Sequence, residues 1–196
     1  MRVLIACEFS GVVREAFAAR GHDAWSCDLL PTEIPRQHYQ GDVLNILDDG
    51  WDMMIAHPPC TYIANSGARW LFTKKGRWEQ LDEACKFFRY LLEAPILKIA
   101  VENPIPHKWG LERIGRKYDQ KIQPYHFGDK QKKGTCLWLK NLPKLFPTTP
   151  NLTPPKDKEE LKRWEMVWRM PPSKDQAKLR SITFAGFANA MAEQWG

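Results

Sequence analysis

Two strand-like runs, "QKIQPYHFG" and "GTCLWLKN", are joined by only "GDKQKKG". No crossover helix fits into that connection, so the two strands must run antiparallel. Upstream the rhythm is different. "RVLIAC" reads as a strand, and "SGVVREAFAARG" as the helix that follows it, with Ser10 as N-cap and Gly21 as stop. "DAWSCDLL" is a second strand ending near Asp28, and "WDMMIA" is a third or a fourth, depending on whether "GDVLNI" pairs. "GRWEQLDEACKFFRYLLEA" places Trp78, Leu81, Cys85, Phe88 and Leu92 on one face of an amphipathic helix, and "ILKIAVENP" is another buried strand. Strands alternating with helices build a mostly parallel sheet covered on both faces. The expectation is therefore an α/β chain whose parallel sheet is finished by an antiparallel hairpin.

After Asn141 the chain turns proline-rich, with seven prolines between 141 and 180. Within that stretch "DKEELKRWEMVWRM" can form a helix with Leu161, Trp164 and Trp168 aligned, and the rest reads as extended loop. "FAGFANAMAEQW" reads as a last helix packing back on the core. The expected organisation is a core of 1–140, an insert of 141–180 and a closing helix in 181–196. The insert carries nine Lys/Arg against five Asp/Glu, within a chain of net charge +6. Such a balance suits a polyanionic partner, although a solvated surface accounts for the charge equally well. No apolar run reaches membrane-spanning length, and "MRVLIACEFSG" reads as a buried first strand rather than a signal peptide. Five widely spaced cysteines without a C-x-x-C pair fit a reducing cytosol better than a disulfide framework. The five histidines show no ligand spacing, so no metal site is expected.

In an open parallel sheet, ligands bind beyond the carboxyl ends of the strands. Four clusters fall at such ends: "CEFSG", Asp28, "HPPC" and "ENP". The single glycine of "EFSG" could bring backbone close to a ligand but is no dinucleotide fingerprint. Asp28 stands where an acid grips a ribose diol, although any strand-ending aspartate would look alike. In "HPPC" two prolines fix φ and remove two donors, so Cys60 sits on a loop with little freedom. Such a loop can hold a nucleophile in attack geometry, while a core cysteine after a turn is the plainer alternative. Glu102 follows "LKIAV", and desolvation there is expected to raise its pKa toward the range useful for proton donation.

Taken together, "CEFSG", "GDVLNI", "HPPC", "ENP" and "GFANAMAEQW" resemble the ordered motifs of the DNA cytosine-5 methyltransferases, above all the short versions encoded by phages and prophages. The resemblance covers nearly all of 1–140 and resumes at about 171. It implies a Rossmann-like class I S-adenosylmethionine-dependent methyltransferase sheet in a cytoplasmic enzyme, bacterial or from a phage-infected host, with DNA as partner. It further implies that the Cys60 thiolate adds to carbon 6 of cytosine, while Glu102 holds ring nitrogen 3 and the exocyclic amine. Phe9, Ser10 and Gly11 would line the cofactor pocket, Asp28 would bind ribose hydroxyls, and Asp42 would face the adenine. Pro58 would lie near the point of methyl transfer, Asn103 beside the substrate, and Asn189 would help shape the cofactor pocket.

Three departures from the family pattern stand out. The second glycine after Phe9 is lost, Glu-Asn-Val becomes Glu102-Asn103-Pro104, and Gln-x-Arg-x-Arg becomes Gln131-Lys132-Lys133-Gly134-Thr135. Of the two arginine positions only that of Lys133 keeps a cation, and lysine lacks arginine's bidentate fork. The recognition region shrinks to the insert, where Trp164, Trp168 and Arg169 could stack on or wedge beside bases. That reduction leaves open a methyltransferase for free cytosine nucleotides or single strands. The altered Gln131–Thr135 motif leaves open a catalytically silent DNA-binding relative. His57 and Cys60 stand where amino-methyltransferases carry Asp/Asn and an aromatic residue, which argues against amine methylation.

Overall fold

The computed structural model of the chain describes residues 1–196. One sheet contains β1 (Arg2–Ala6), β2 (Asp23–Asp28), β3 (His38–Gln40), β4 (Met53–Ala56), β5 (Lys98–Pro104), β6 (Gln120–Ile122) and β7 (Thr135–Lys140). Their order is β3-β2-β1-β4-β5-β7-β6. From β3 to β5 every pair is parallel, and β7 alone runs against the rest, between β5 and β6. This is the class I methyltransferase sheet expected from the sequence. The helices are α1 (Val12–Ala18), α2 (Arg77–Glu93), α3 (Lys108–Ile114), α4 (Lys158–Trp164), α5 (Met166–Arg169), α6 (Gln176–Ser181) and α7 (Ala185–Trp195). None is long and apolar enough to cross a membrane.

The central strands are apolar throughout because both faces of the sheet are covered. Side chains alternate across the pleat. From β1, Leu4 and Ala6 enter a core with Leu81, Cys85 and Phe88 of α2. Val3 and Ile5 enter the opposite core, where Phe17 of α1 meets Phe187, Met191 and Trp195 of α7.

Several local expectations are corrected. Ser10 is not the N-cap of α1; that residue is Gly11, with φ 76°. The acceptor for the helix start is the buried Glu8 carboxylate, which takes the N–H groups of Val13 at 2.7 Å and Arg14 at 3.2 Å. Gly11 is required by its left-handed backbone, and an added Cβ would also lie 2.7 Å from the Arg14 guanidinium. "GDVLNI" forms no strand: Asp42 accepts from the Leu44 N–H at 3.0 Å and starts a 3-10 turn over Val43–Asn45. The third strand is instead the three-residue β3. Pro124 cuts short the first strand of the predicted hairpin, and a 3-10 turn over Pro124–Phe127 follows. The insert helix is split at Glu165 into α4 and α5, and α6 was not expected at all.

The insert leaves β7 at the amino ends of the parallel strands and climbs the outside of β6. The Leu145 N–H donates to the Gln120 side chain at 2.8 Å, and the Thr149 N–H to the His126 carbonyl at 3.0 Å. It then passes over the carboxyl ends. Lys178 of α6 pairs with Glu33 at 2.7 Å, and its Nζ lies 5.1 Å from the centre of the Phe9 ring. The chain returns as α7, whose first N–H groups, from Gly186 and Phe187, donate to Asp129 at 3.1 Å each.

Gly186 has no room for a side chain, because a Cβ would sit 2.1 Å from the Phe127 carbonyl oxygen and 2.7 Å from the Asp129 carboxylate. Gly186→Ala is expected to cost about 3 kcal/mol through overpacking against backbone. Asp129→Ala should cost about 1 kcal/mol as a lost cap. Urea unfolding of the two variants checks both the values and their order.

Candidate active site

Three strands deliver the site. The His57 N–H leaves β4 bonded to the Ala6 carbonyl at 2.9 Å, and Pro58 and Pro59 follow. Asn103 Nδ2 donates to the Pro58 carbonyl at 2.9 Å, pinning a loop whose prolines have no N–H of their own. Cys60 comes next, half-buried and unbridged, its carbonyl taking the N–H groups of Ile63 and Ala64. Glu102 rises on β5, the parallel neighbour of β4. Because β7 is antiparallel, Thr135 lies opposite Pro104, and the preceding Lys133 arrives beside Glu102. Glu102, Lys133 and Thr135 line one small cavity with Phe184 and Phe187. Lys133 Nζ donates to the Arg180 carbonyl at 2.9 Å.

The electrostatics correct one expectation. Burial pushes the Glu102 pKa up, but a hydrogen bond from His57, the Lys133 charge and His57 itself together bring it below the ordinary value. His57 Nδ1 lies 3.1 Å from Glu102 Oε2, with only 7% and 14% of the two side chains exposed. Glu102 is therefore a carboxylate in the unliganded protein and not a ready proton donor. The reason is a partner 45 residues away in the chain. Cys60 moves the opposite way. Burial and then the Glu102 charge push its thiol up, and Lys133 and Arg180 offset part of that rise. The resting site holds a thiol and a carboxylate.

Beyond β1 and β2 the crevice is acidic on one side and apolar on the other. Phe9 and Ser10 are buried, and Ser10 Oγ donates to Glu8 at 3.3 Å. Asp28 takes the Leu30 N–H on Oδ1 at 2.9 Å, and no hydrogen bond falls on its other oxygen. Asp28 and Asp42 both act on the Cys7 thiol, whose pKa is raised first by burial and then by these charges. The acids thus converge at the end of β1. Leu29, Leu30 and Leu44 are exposed next to them. Carboxylate oxygens suit a sugar diol and exposed leucines suit a flat ring, so the side chains fit a nucleoside-bearing cofactor. Asn189 lies on the exposed face of α7 and is hydrogen-bonded to none of these loops.

The insert residues divide. Trp164 is only 4% exposed and packs 6.1 Å from the Tyr125 ring, so it cannot stack on a base, contrary to expectation. Its carbonyl takes the Lys132 N–H at 2.7 Å, tying the insert to the loop before β7. Trp168 is 60% exposed. Arg169 reaches Glu165 with two N–H groups, at 3.2 and 2.8 Å, and Glu165 also pairs with Lys132 at 3.3 Å. A cleft of about 530 Å³ opens here, lined by Ile105, Gln123, Lys132, Gly134, Glu165, Trp168 and Arg169. Gln131 lies on its loop with Oε1 buried and unpartnered.

Sequence reasoning missed His57, Arg180 and a strip beyond Cys60. There Arg77 stacks on Tyr62 at 4.2 Å, Arg69 on Trp70 at 4.3 Å, and Lys108 on Trp109 at 4.6 Å, with Phe72 exposed among them. The interleaving of basic and aromatic residues in "GARWLFTKKGRW" was the available signal. His, Cys, Asp and Glu nowhere gather in threes able to hold a metal ion.

No family model matches the sequence, and no curated protein matches it. Among solved structures, the chain is similar to a candidate DNA modification methyltransferase encoded within an E. coli prophage. The TM-score is 0.47, with 17% identity over 71% of this chain and 46% of that one. The chain thus spans just under half the length of the structure it matches.

Two outcomes are expected from this geometry. Trp164→Ala should lose about 3–5 kcal/mol of stability by emptying a buried site, while Trp168→Ala should lose under about 0.5 kcal/mol. Denaturant midpoints of the two variants check this. Because folding lowers the Glu102 pKa below 4.5, its contribution is full above that value and is lost as pH falls through the folded one. Glu102→Gln should therefore show a shallower loss of denaturant midpoint than the wild type between about pH 6 and about pH 3.

Proposed function

We propose that this chain methylates carbon 5 of cytosine in DNA through a transient bond to Cys60. One observation carries the reading. A half-buried thiol, an ionised carboxylate and a lysine meet at the ends of β4, β5 and β7, beside the acid-lined crevice that follows β1 and β2. In this reading residues 1–140 hold the chemistry, 141–180 contact the nucleic acid, and 181–196 complete the core. Five free cysteines suit a reducing cytoplasm, bacterial or phage-infected.

Carbon 5 of cytosine is a poor nucleophile until a sulfur adds at carbon 6 and makes the ring enamine-like. The loop His57–Cys60 can hold that sulfur with little reordering, since its prolines and the Asn103 bond already restrict it. Glu102 would stabilise the charge that develops on the ring, and Lys133 and Arg180 favour the thiolate. S-Adenosylmethionine, held by Phe9, Ser10, Gly11, Asp28 and Asp42, would supply an electrophilic methyl group when bound. Pro58 would border the transfer point, with Asn189 on the helix that closes the core.

DNA is supported by the net charge of +6, by the aromatic-cationic strip beyond Cys60, and by the Trp168–Arg169 cleft. A target base would have to leave the helix stack to reach Cys60. A second reading, a free cytosine nucleotide or a single strand as substrate, draws on the short insert lying across the crevice.

Incubation with labelled S-adenosylmethionine separates the two readings. Label is expected in duplex DNA and absent after Cys60→Ser. Label in dCMP with none in duplex would overturn the DNA assignment. A covalent adduct with 5-fluorocytosine DNA, lost in Cys60→Ser, would exclude a silent binder.

A further inference from the structure

His57 does more in this structure than follow a strand. Its ring is 7% exposed, its Nδ1 is 3.1 Å from Glu102 Oε2, and its Nε2 is buried with no hydrogen-bond partner. The ring cannot drift, since its backbone is tied to Ala6 and followed by two prolines. No other hydrogen bond reaches the Glu102 side chain: Lys133 spends its own on the Arg180 carbonyl and acts on Glu102 through charge alone. Since an ionised carboxylate accepts and cannot donate, the shared proton belongs to Nδ1. The charged and titratable groups around the ring are Glu8 after β1, Glu102 on β5, Cys60 on its own loop, and Lys133 before β7.

We propose that His57 is a positioning residue that stores the proton Glu102 needs and passes it on when sulfur adds to the base. This rests on the reading of Cys60 and Glu102 given above. The Cys60 thiol first loses its proton to water. The thiolate then gives an electron pair to carbon 6 and a sulfur–carbon bond forms. The carbon 5–carbon 6 double bond moves to carbon 4–carbon 5, and the carbon 4–nitrogen 3 pair takes a proton at nitrogen 3. That proton starts on Nδ1 of a doubly protonated His57 and passes through the Glu102 carboxylate to the ring, and the imidazolium becomes a neutral imidazole. One proton leaves sulfur and one reaches the ring, so the base ends neutral, while Glu102 remains a carboxylate facing the new nitrogen 3 proton.

The proposed step needs Cys60 without its proton and His57 with one to give, so adduct formation should pass through a maximum as pH is raised. The test is single-turnover trapping on 5-fluorocytosine DNA with S-adenosylmethionine present, across pH, for the wild type, His57→Gln and Cys60→Ser. Glutamine can still donate to Glu102 but stores no titratable proton. Its maximal rate should fall about 100-fold and its profile should rise with pH without the alkaline descent. An unchanged bell in His57→Gln, with the adduct lost in Cys60→Ser, overturns the role of His57 and leaves the function standing. No adduct in the wild type at any pH overturns the function, and this inference with it. Should His57→Gln fail to fold, ¹⁵N-histidine spectra of the wild type decide. A doubly protonated ring is expected at the pH where adduct formation is fastest, and a neutral ring of either tautomer there overturns the proposal.

Discussion

Strand β7 begins where β5 ends. That reversal is the constraint on which the site depends, because an antiparallel neighbour is the only kind whose approach loop lands at the carboxyl ends of parallel strands. Glu102 pairs with Leu137 and Pro104 with Thr135, so the loop before Thr135 hangs directly over the carboxylate. Lys133 reaches Glu102 for this reason and not through any closeness in sequence. The same reversal releases the chain at the opposite end of the sheet. The insert must therefore climb the β6 edge before it can cross the crevice, and α7 must descend beside α1 to close the core.

Charge inside the molecule follows from that layout. The Glu8 carboxylate lies at the end of β1, its pKa raised by burial and held back by His57 and by the N–H groups of α1. Arg14 is fully buried on α1, donating to Ser26 at 2.9 Å and to the Ile34 carbonyl at 2.7 Å, which fixes the loop after β2. These charges are satisfied by backbone groups of α1 and of the loop after β2, and by the side chains of Ser10, Glu15, Ser26 and Thr32. Removing one would leave its partners unpaired in a desolvated place, so each loop is held by its neighbour's polar needs.

The sheet was legible because buried parallel strands appear as unbroken apolar runs, as in "RVLIA" and "MMIA". β3 was not, since "HYQ" is three residues long and carries no such run. "GDVLNI" could be read either way because its alternation resembles a strand, whereas Asp42 bends the backbone through a local hydrogen bond. Trp164 and Trp168 share a helical stripe, and only tertiary packing tells the buried ring from the exposed one. For Glu102, position was legible and charge was not. Desolvation can be inferred from an apolar flank, but the imidazole that reverses its effect comes from another strand.

The passage of α6 over the carboxyl ends has its own consequence. Lys178 is fastened to Glu33 and lies against Phe9, while the Arg180 carbonyl is fastened to Lys133. One short helix is thereby moored on both banks of the same channel. A displacement of that helix at either bank would disturb contacts at the other.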